Sequence, residues 1–328
     1  MKKFSSIIFL LLLSLNTFAV TKVNGAGATF PYPIYSKWFS EYNKLNSEVQ
    51  FNYQAIGSGG GVRQLLKQTV HFGASDAPMK DKDIKRAPWP VKHIPTVLGA
   101  VTVAFNLDGV KELNLDGKTL AEIFLGKISK WDHPTIKGLN KTIELPNKDI
   151  LVARRADGSG TTAIFSDYLS TVSEPWLSTV GRGKSLRWPV GIGAKGNDGV
   201  TAIIKQTEGT IGYIELAYAL KNNLSTAAIK NKANEFVKPT VEGVSLSAKM
   251  LKENSSVTTS IVDADGEGVY PISAFTFILL PMKSETNELK EVKKFLKWAL
   301  TEGQKMTNEL HYAPLPTSLA KRMLKDIK

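Results

Sequence analysis

Arg155, Ser159, Gly160 and Thr161 fall in one short run, RRADGSGTT, at residues 154–162. Together they could hold an anion. DILVA before the run is apolar and β-branched, which predicts a strand. In TTAIFSDYLSTV after it, Phe165, Leu169 and Val172 recur at helical spacing. The order is therefore strand, arginine, glycine-rich turn, helix. A helix N-terminus carries unpaired N–H groups and a partial positive charge, which suits an anion. Glycine allows close approach, Ser159 and Thr161 add hydroxyl donors, and Arg155 adds a two-pronged guanidinium.

The arrangement recurs. GAGATFP (25–31) precedes a helical pattern with Tyr35, Trp38, Phe39 and Tyr42, and supplies the Thr29 hydroxyl. Phe30 precedes a proline, which favours an extended backbone and leaves its N–H for a ligand. GSGGG (57–61) carries Ser58 between the alternating strand VQFNYQA and the pattern VRQLLKQTV. Each of these, taken singly, is usually only a turn. A fourth run, FGASDAP (72–78), holds Asp76, which on its own reads equally as a turn or helix cap. If it joins the others, a carboxylate faces the anion. An ionised carboxylate only accepts hydrogen bonds, so it would favour an oxyanion that keeps an OH.

The elements that must position these residues alternate between strand-like and helix-like along 328 residues, 42% of them apolar. That predicts an α/β fold with mostly parallel sheets. VTVAFNL and AFTFILL read as buried strands, and LKEVKKFLKWAL as an amphipathic helix followed by a shorter terminal one. Residues 1–19 start with Lys2 and Lys3, run through IIFLLLL and end TFA. This is the pattern of a secretory signal peptide cut after Ala19. With no cysteine in the chain, disulfides and thiol chemistry are excluded. The expected location is a bacterial periplasm.

The net charge is +12. The lysines are interleaved with acids, as in KDKDIKR, and nothing resembles a basic-aromatic surface for reading nucleic acid. The four histidines, His71, His93, His133 and His311, have no metal-ligand spacing, so no metal or cofactor is expected. Neither G-x-S-x-G nor a P-loop occurs. GIGAKG (191–196) fits the dinucleotide pattern. Pro189 interrupts the strand before it, so a turn is preferred, with Asn197 and Asp198 as cap candidates.

GAGATFPYPIYSKW, IGSGGGV, FGASDAP, LGKISKW, RRADGSGTT, KGNDGV and IGYIELAYA resemble, in order, segments of the phosphate-binding proteins of phosphate-specific ABC transporters. The resemblance spans nearly all of the chain beyond the leader, apart from about residues 222–267, which match poorly. It implies a type II periplasmic-binding fold: two lobes, each a mixed sheet flanked by helices, with a two-strand hinge and the ligand cleft between. By position it implies residues 20–98 and 272–328 for the first lobe and 99–271 for the second. The implied ligands of phosphate are Thr29, Phe30 through its N–H, Ser58, Asp76, Arg155, Ser159, Gly160 and Thr161. Asp157 would hold Arg155. Gly59 stands where the family commonly has a second serine.

The function implied is capture of inorganic phosphate, with arsenate as a mimic, and delivery to the permease and ATPase subunits of an importer. The protein would be a monomer without enzymatic activity. The alternatives are binding of another tetrahedral oxyanion, such as sulfate or molybdate, or a secreted phosphate-binding module used in adhesion.

Overall fold

The computed structural model describes residues 20–251 and 255–327. The expected leader, with its cut after Ala19, lies outside them. The strands in chain order are β1 (Thr21–Gly27), β2 (Val49–Ala55), β3 (Phe72–Ser75), β4 (Val91–Asn106), β5 (Asn114–Leu115) and β6 (Leu151–Arg155). They continue with β7 (Ile192–Ala194), β8 (Thr210–Glu215), β9 (Ser225–Thr226), β10 (Ala228–Lys230), β11 (Phe236–Val237) and β12 (Ser273–Pro281). One nine-stranded sheet runs β2-β1-β3-β12-β4-β8-β6-β7, with β9 also on β4. A three-stranded sheet runs β11-β10-β5.

The expectation of mostly parallel sheets needs a correction at the centre. β1 pairs in parallel with β2 and β3, and β6 with β7 and β8. The joining strands are antiparallel: β12 to β3, β12 to β4, and β4 to β8. β4 is the long shared strand. Its first part, Val91 to Ala100, lies against β12, and its last part, Val101 to Asn106, lies against β8. Where the partners change, Val101 N–H donates to Ile272 O at 2.8 Å. Such a strand, buried on both faces, reads as continuous apolar sequence, which is what GAVTVAF supplies.

Aromatic side chains anchor the helices to each side of the sheet. On one side Phe39, Phe51 and Phe295 cluster with centroids 4.8–5.1 Å apart. They hold helices Tyr32–Leu45 and Asn287–Ala299 over β2. On the other, Phe165 stacks on Tyr213 at 4.4 Å and seats helix Gly160–Val172 on β8. Each such aromatic pair contributes about 1 kcal/mol beyond burial.

The helix expected over VRQLLKQTV starts earlier and ends earlier, at Ser58–Leu66. Gly57, with φ of +84°, turns the chain so that Ser58 opens the helix. A left-handed residue there is tolerated because glycine has no Cβ.

Candidate functional site

The turns that end β1, β3 and β6, and the start of helix Ser58–Leu66, meet in one buried polar cluster. All eight sequence-predicted residues converge there, and each is buried or, for Gly160, part of the buried helix start. Thr29 and Phe30 follow β1, in a turn closed by Tyr32 N–H to Thr29 O at 3.2 Å. Asp76 follows β3. Its backbone N–H donates to Ser58 Oγ, and the Ser58 hydroxyl donates to Asp76 Oδ2, both at 3.2 Å. Asp76 therefore caps no helix. The Thr276 hydroxyl, from β12, donates to Oδ1 at 2.8 Å.

From the other side, Arg155 ends β6. Its N–H donates to the Tyr213 hydroxyl at 3.1 Å, and that hydroxyl sits 2.7 Å from Thr162 Oγ1. The guanidinium forks onto Asp157, Nε to Oδ1 at 2.7 Å and Nη2 to Oδ2 at 2.6 Å. Nη1 remains turned to Thr161 Oγ1 at 3.2 Å. Asp157 also accepts from Gly196 N–H at 3.1 Å. Ser159 is the N-cap of helix Gly160–Val172, accepting from Thr162 N–H at 3.0 Å, which leaves its own hydrogen to donate. The N–H groups of Gly160 and Thr161 open that helix, where no preceding turn supplies acceptors.

The two sides touch. Gly59 N–H donates to Gly158 O at 2.7 Å. A Cβ built on Gly59 would lie 3.1 Å from Gly158 Cα, so this glycine sits at a tight approach. A Cβ on Gly160 would collide with both Asp76 and Ser58. The Lys184 ammonium donates to Pro78 O at 3.2 Å. Beside this seam, Arg63, Lys67, Lys80, Lys82, Arg86 and Lys184 surround a depression with one acid, Asp83.

Burial pushes the Asp76 carboxyl up to about 6, against the opposing pull of the Thr276 hydroxyl, Arg155, Ser58 and Lys184. Burial also raises Asp157, but the Arg155 hydrogen bonds and charge outweigh it and hold that carboxyl below its usual value. The two acids therefore differ: Asp157 is an anion paired with Arg155, and Asp76 is a buried carboxyl held by Ser58 and Thr276.

Sequence reasoning missed several contributors. Asn197, read as a cap candidate, is not one: Lys195 is the N-cap of helix Gly196–Gln206, and Asn197 is fully buried. Its amide reaches Thr29 and Thr161. The Tyr218 hydroxyl donates to Thr29 O at 2.6 Å and the Tyr312 hydroxyl to Phe30 O at 2.6 Å. Tyr312 also lies 3.1 Å from Glu215 Oε2. Glu215 and Tyr218 stand in IGYIELAYA and Asn197 in KGNDGV, so the motifs contained them but not their partners. Three histidines accept from backbone N–H groups: His71 from Asn24, His93 from Met79 and His133 from Thr135. Among the described residues no group of histidine, aspartate and glutamate could hold a metal ion, and no helix is long and apolar enough to cross a membrane.

The PBP superfamily domain matches residues 15–302. A phosphate-binding protein PstS of Haemophilus influenzae is 44% identical over 315 residues, covering 94% of this chain and 93% of the relative. A PstS of Xylella fastidiosa is 43% identical over 307 residues, covering 92% and 84%. Among solved structures, a high-affinity periplasmic phosphate-binding protein bound with phosphate has a TM-score of 0.75 at 21% identity, covering 92% of this chain and 93% of that one. A phosphate-binding protein from Stenotrophomonas maltophilia has a TM-score of 0.70 at 17% identity, covering 93% and 94%. At such identities the structural likeness speaks to the fold.

Proposed function

Because the chain belongs to the PBP superfamily and, within it, to the phosphate-binding proteins PstS, we propose that it binds inorganic phosphate and delivers it for import. The fold is the type II periplasmic-binding arrangement. One observation carries the choice of ligand: a buried carboxylate, Asp76, lies against the start of helix Gly160–Val172 and within the field of the Arg155 guanidinium. An anion held by Arg155 and helix N–H groups would be repelled by Asp76 unless it brings a proton. Phosphate near neutral pH does so, and arsenate does too. Sulfate does not, and leaves the carboxylate unpaired. A site built around an OH rejects an analogue lacking it by roughly 10⁴-fold.

In this reading the Thr29, Ser58, Ser159 and Thr161 hydroxyls donate to phosphate oxygens, as do the N–H groups of Phe30, Gly160 and Thr161. Arg155 donates from the end that Asp157 leaves free. Asp76 accepts the phosphate proton. Residues 20–98 and 272–328 form one lobe and 99–271 the other, and the change of partner along β4 supports a boundary near residue 100. Ligand favours the closed state because both lobes contribute contacts. The relatives are named as binding proteins, and the role is capture and release without turnover. The periplasm is the place for it, with a monomer presenting the cleft to the permease of an ABC importer driven by its ATPase.

Calorimetric titration of protein stripped of ligand, first with phosphate and then with sulfate, tests the reading. One-to-one phosphate binding with no sulfate binding is expected. Equal binding of both would remove the role given to Asp76, and binding of neither would overturn the function.

A further inference from the structure

We propose that Asn197 sets the polarity of the cleft by forcing the Thr29 and Thr161 hydroxyls to act as donors. Its orientation follows from a neighbour. Glu215 N–H donates to Asn197 Oδ1 at 3.0 Å, and a backbone amide has nothing else to offer. The carboxamide NH2 is therefore turned the other way. It donates to Thr29 Oγ1 at 2.8 Å and to Thr161 Oγ1 at 3.2 Å. Thr29 Oγ1 receives a second hydrogen from the Asn197 backbone N–H at 3.2 Å. Thr161 Oγ1 receives its second from Arg155 Nη1 at 3.2 Å.

A hydroxyl oxygen has two lone pairs. On both threonines both are taken by protein N–H groups, so each hydroxyl keeps only its hydrogen to give. A ligand between them meets two donors that cannot reverse. An oxygen-rich anion satisfies that and a hydrogen-bond donor does not. One amide thus ties the turn after β1 to the start of helix Gly160–Val172 and fixes what both present. Asn197 acts here as a positioning residue, through hydroxyls that touch the ligand. The inference rests on the phosphate reading above.

Asn197→Asp keeps the size and the acceptor toward Glu215 but replaces the NH2 with a second acceptor. The threonine hydroxyls would then turn to it and away from the ligand. Loss of two such bonds to an anion predicts roughly 10²-fold or more weaker phosphate binding at pH 8, by calorimetry. Asn197→Ala removes the donor without adding an acceptor, and the hydroxyls can still face the ligand. Its loss should be about tenfold. Toward pH 5 the aspartate variant regains an O–H donor and should recover relative to wild type, whereas the alanine variant should not. Arg155 shares Thr161 with Asn197, Tyr218 shares Thr29, Glu215 bonds to it, Asp157 holds neighbouring Gly196, and Asp198 and Asp76 act on Tyr218; wild type measured at each pH removes their titration. Equal losses in the two variants, with no differential recovery, would mean a merely structural asparagine and would overturn the inference. So would binding by the aspartate variant within twofold of wild type.

If the aspartate variant does not fold, the double-mutant cycle of Asn197→Ala with Thr29→Val decides. Coupled losses support the proposal and additive ones sink it. Wild type that ignores phosphate would overturn the function itself and this inference with it. Wild type that binds, beside variants that disobey the pattern, overturns only the inference.

Discussion

The Thr276 hydroxyl donates to Asp76 Oδ1 at 2.8 Å, which leaves Oδ2 as the oxygen shared with Ser58 and turned to Gly160. One oxygen is thus held by the sheet, and the other is given to the cleft. The strand that brings Thr276 lies between β3 and β4, so this orientation is built into the middle of the sheet.

A carboxyl held near 6 when folded, against 3.8 as its ordinary value, binds its proton more readily in the folded chain. It favours folding at low pH, and that advantage is lost as pH rises from about 4 through about 6. Above that window the buried charge costs on the order of 3 kcal/mol in the ligand-free protein. Asp76→Asn should therefore raise the melting temperature of the stripped protein at pH 8, with little gain at pH 4. The same variant should lose much of its preference for phosphate over sulfate. Thermal scans across pH and paired titrations check both. An unchanged sulfate exclusion would contradict the acceptor role.

Glu215 leads to a second pH prediction. The Tyr312 hydroxyl has one hydrogen, shared between Phe30 O at 2.6 Å and Glu215 Oε2 at 3.1 Å. Burial raises Glu215 well above the usual carboxylate range, against the N–H of Ala217 and the Tyr312 hydroxyl, and Oε1 has no hydrogen-bond partner among the described residues. Glu215→Gln should match wild-type stability at pH 5 and exceed it at pH 8, because a raised carboxyl loses its stabilising proton as pH climbs. Tyr312→Phe should cost about 1–3 kcal/mol by leaving Phe30 O buried and unpaired. Urea unfolding at the two pH values measures each.

Gly160→Ala places a methyl group where Asp76 and Ser58 already stand. Overpacking of this kind costs about 1–3 kcal/mol, and the two sides can relieve it only by drawing apart. Phosphate affinity should fall by roughly 10–100-fold with the fold kept, by calorimetry beside circular dichroism. Affinity equal to wild type would show that closure does not bring Gly160 against Asp76.

The basic rim predicts a rate. Arg63, Lys67, Lys80, Lys82, Arg86 and Lys184 face one depression at the seam, and such focused charge raises the association rate of an anion. Raising ionic strength from about 0.01 to about 0.15 M shortens the Debye length from about 30 to about 8 Å and should slow phosphate association several-fold, with dissociation little changed. Burial holds the Lys184 ammonium down to about 8, so association should slow further as pH passes that value. Stopped-flow mixing across salt and pH reads both.

The glycine-rich turns were legible because they are local: a strand, a turn without Cβ atoms and a helix start announce themselves within a dozen or so residues. Arg155, Ser159, Gly160 and Thr161 could be read together for that reason. The ligand roles proposed for the other turns came from the family resemblance, since spacing alone read Asp76 as a turn or cap. What stayed hidden was every hydrogen bond made at a distance. Asn197 meets Thr29 across 168 residues, Thr276 meets Asp76 across 200, and Tyr312 meets Phe30 across 282. Such partners follow from sheet order, and local periodicity does not contain sheet order. The antiparallel centre was missed on the same ground. A run such as AFTFILL says that a strand is buried and is silent about its direction.

β12 occupies the slot between β3 and β4, although it begins at Ser273. The first four strands can be synthesised and still lack the inner strand that closes their sheet. Contacts of such long sequence separation form slowly, because loop closure precedes any reward. A ribosome-bound chain would therefore carry β3 and β4 as unfilled edges until nearly all of it has emerged. The topology that joins the two halves of the sheet would thus make its completion a late event in synthesis.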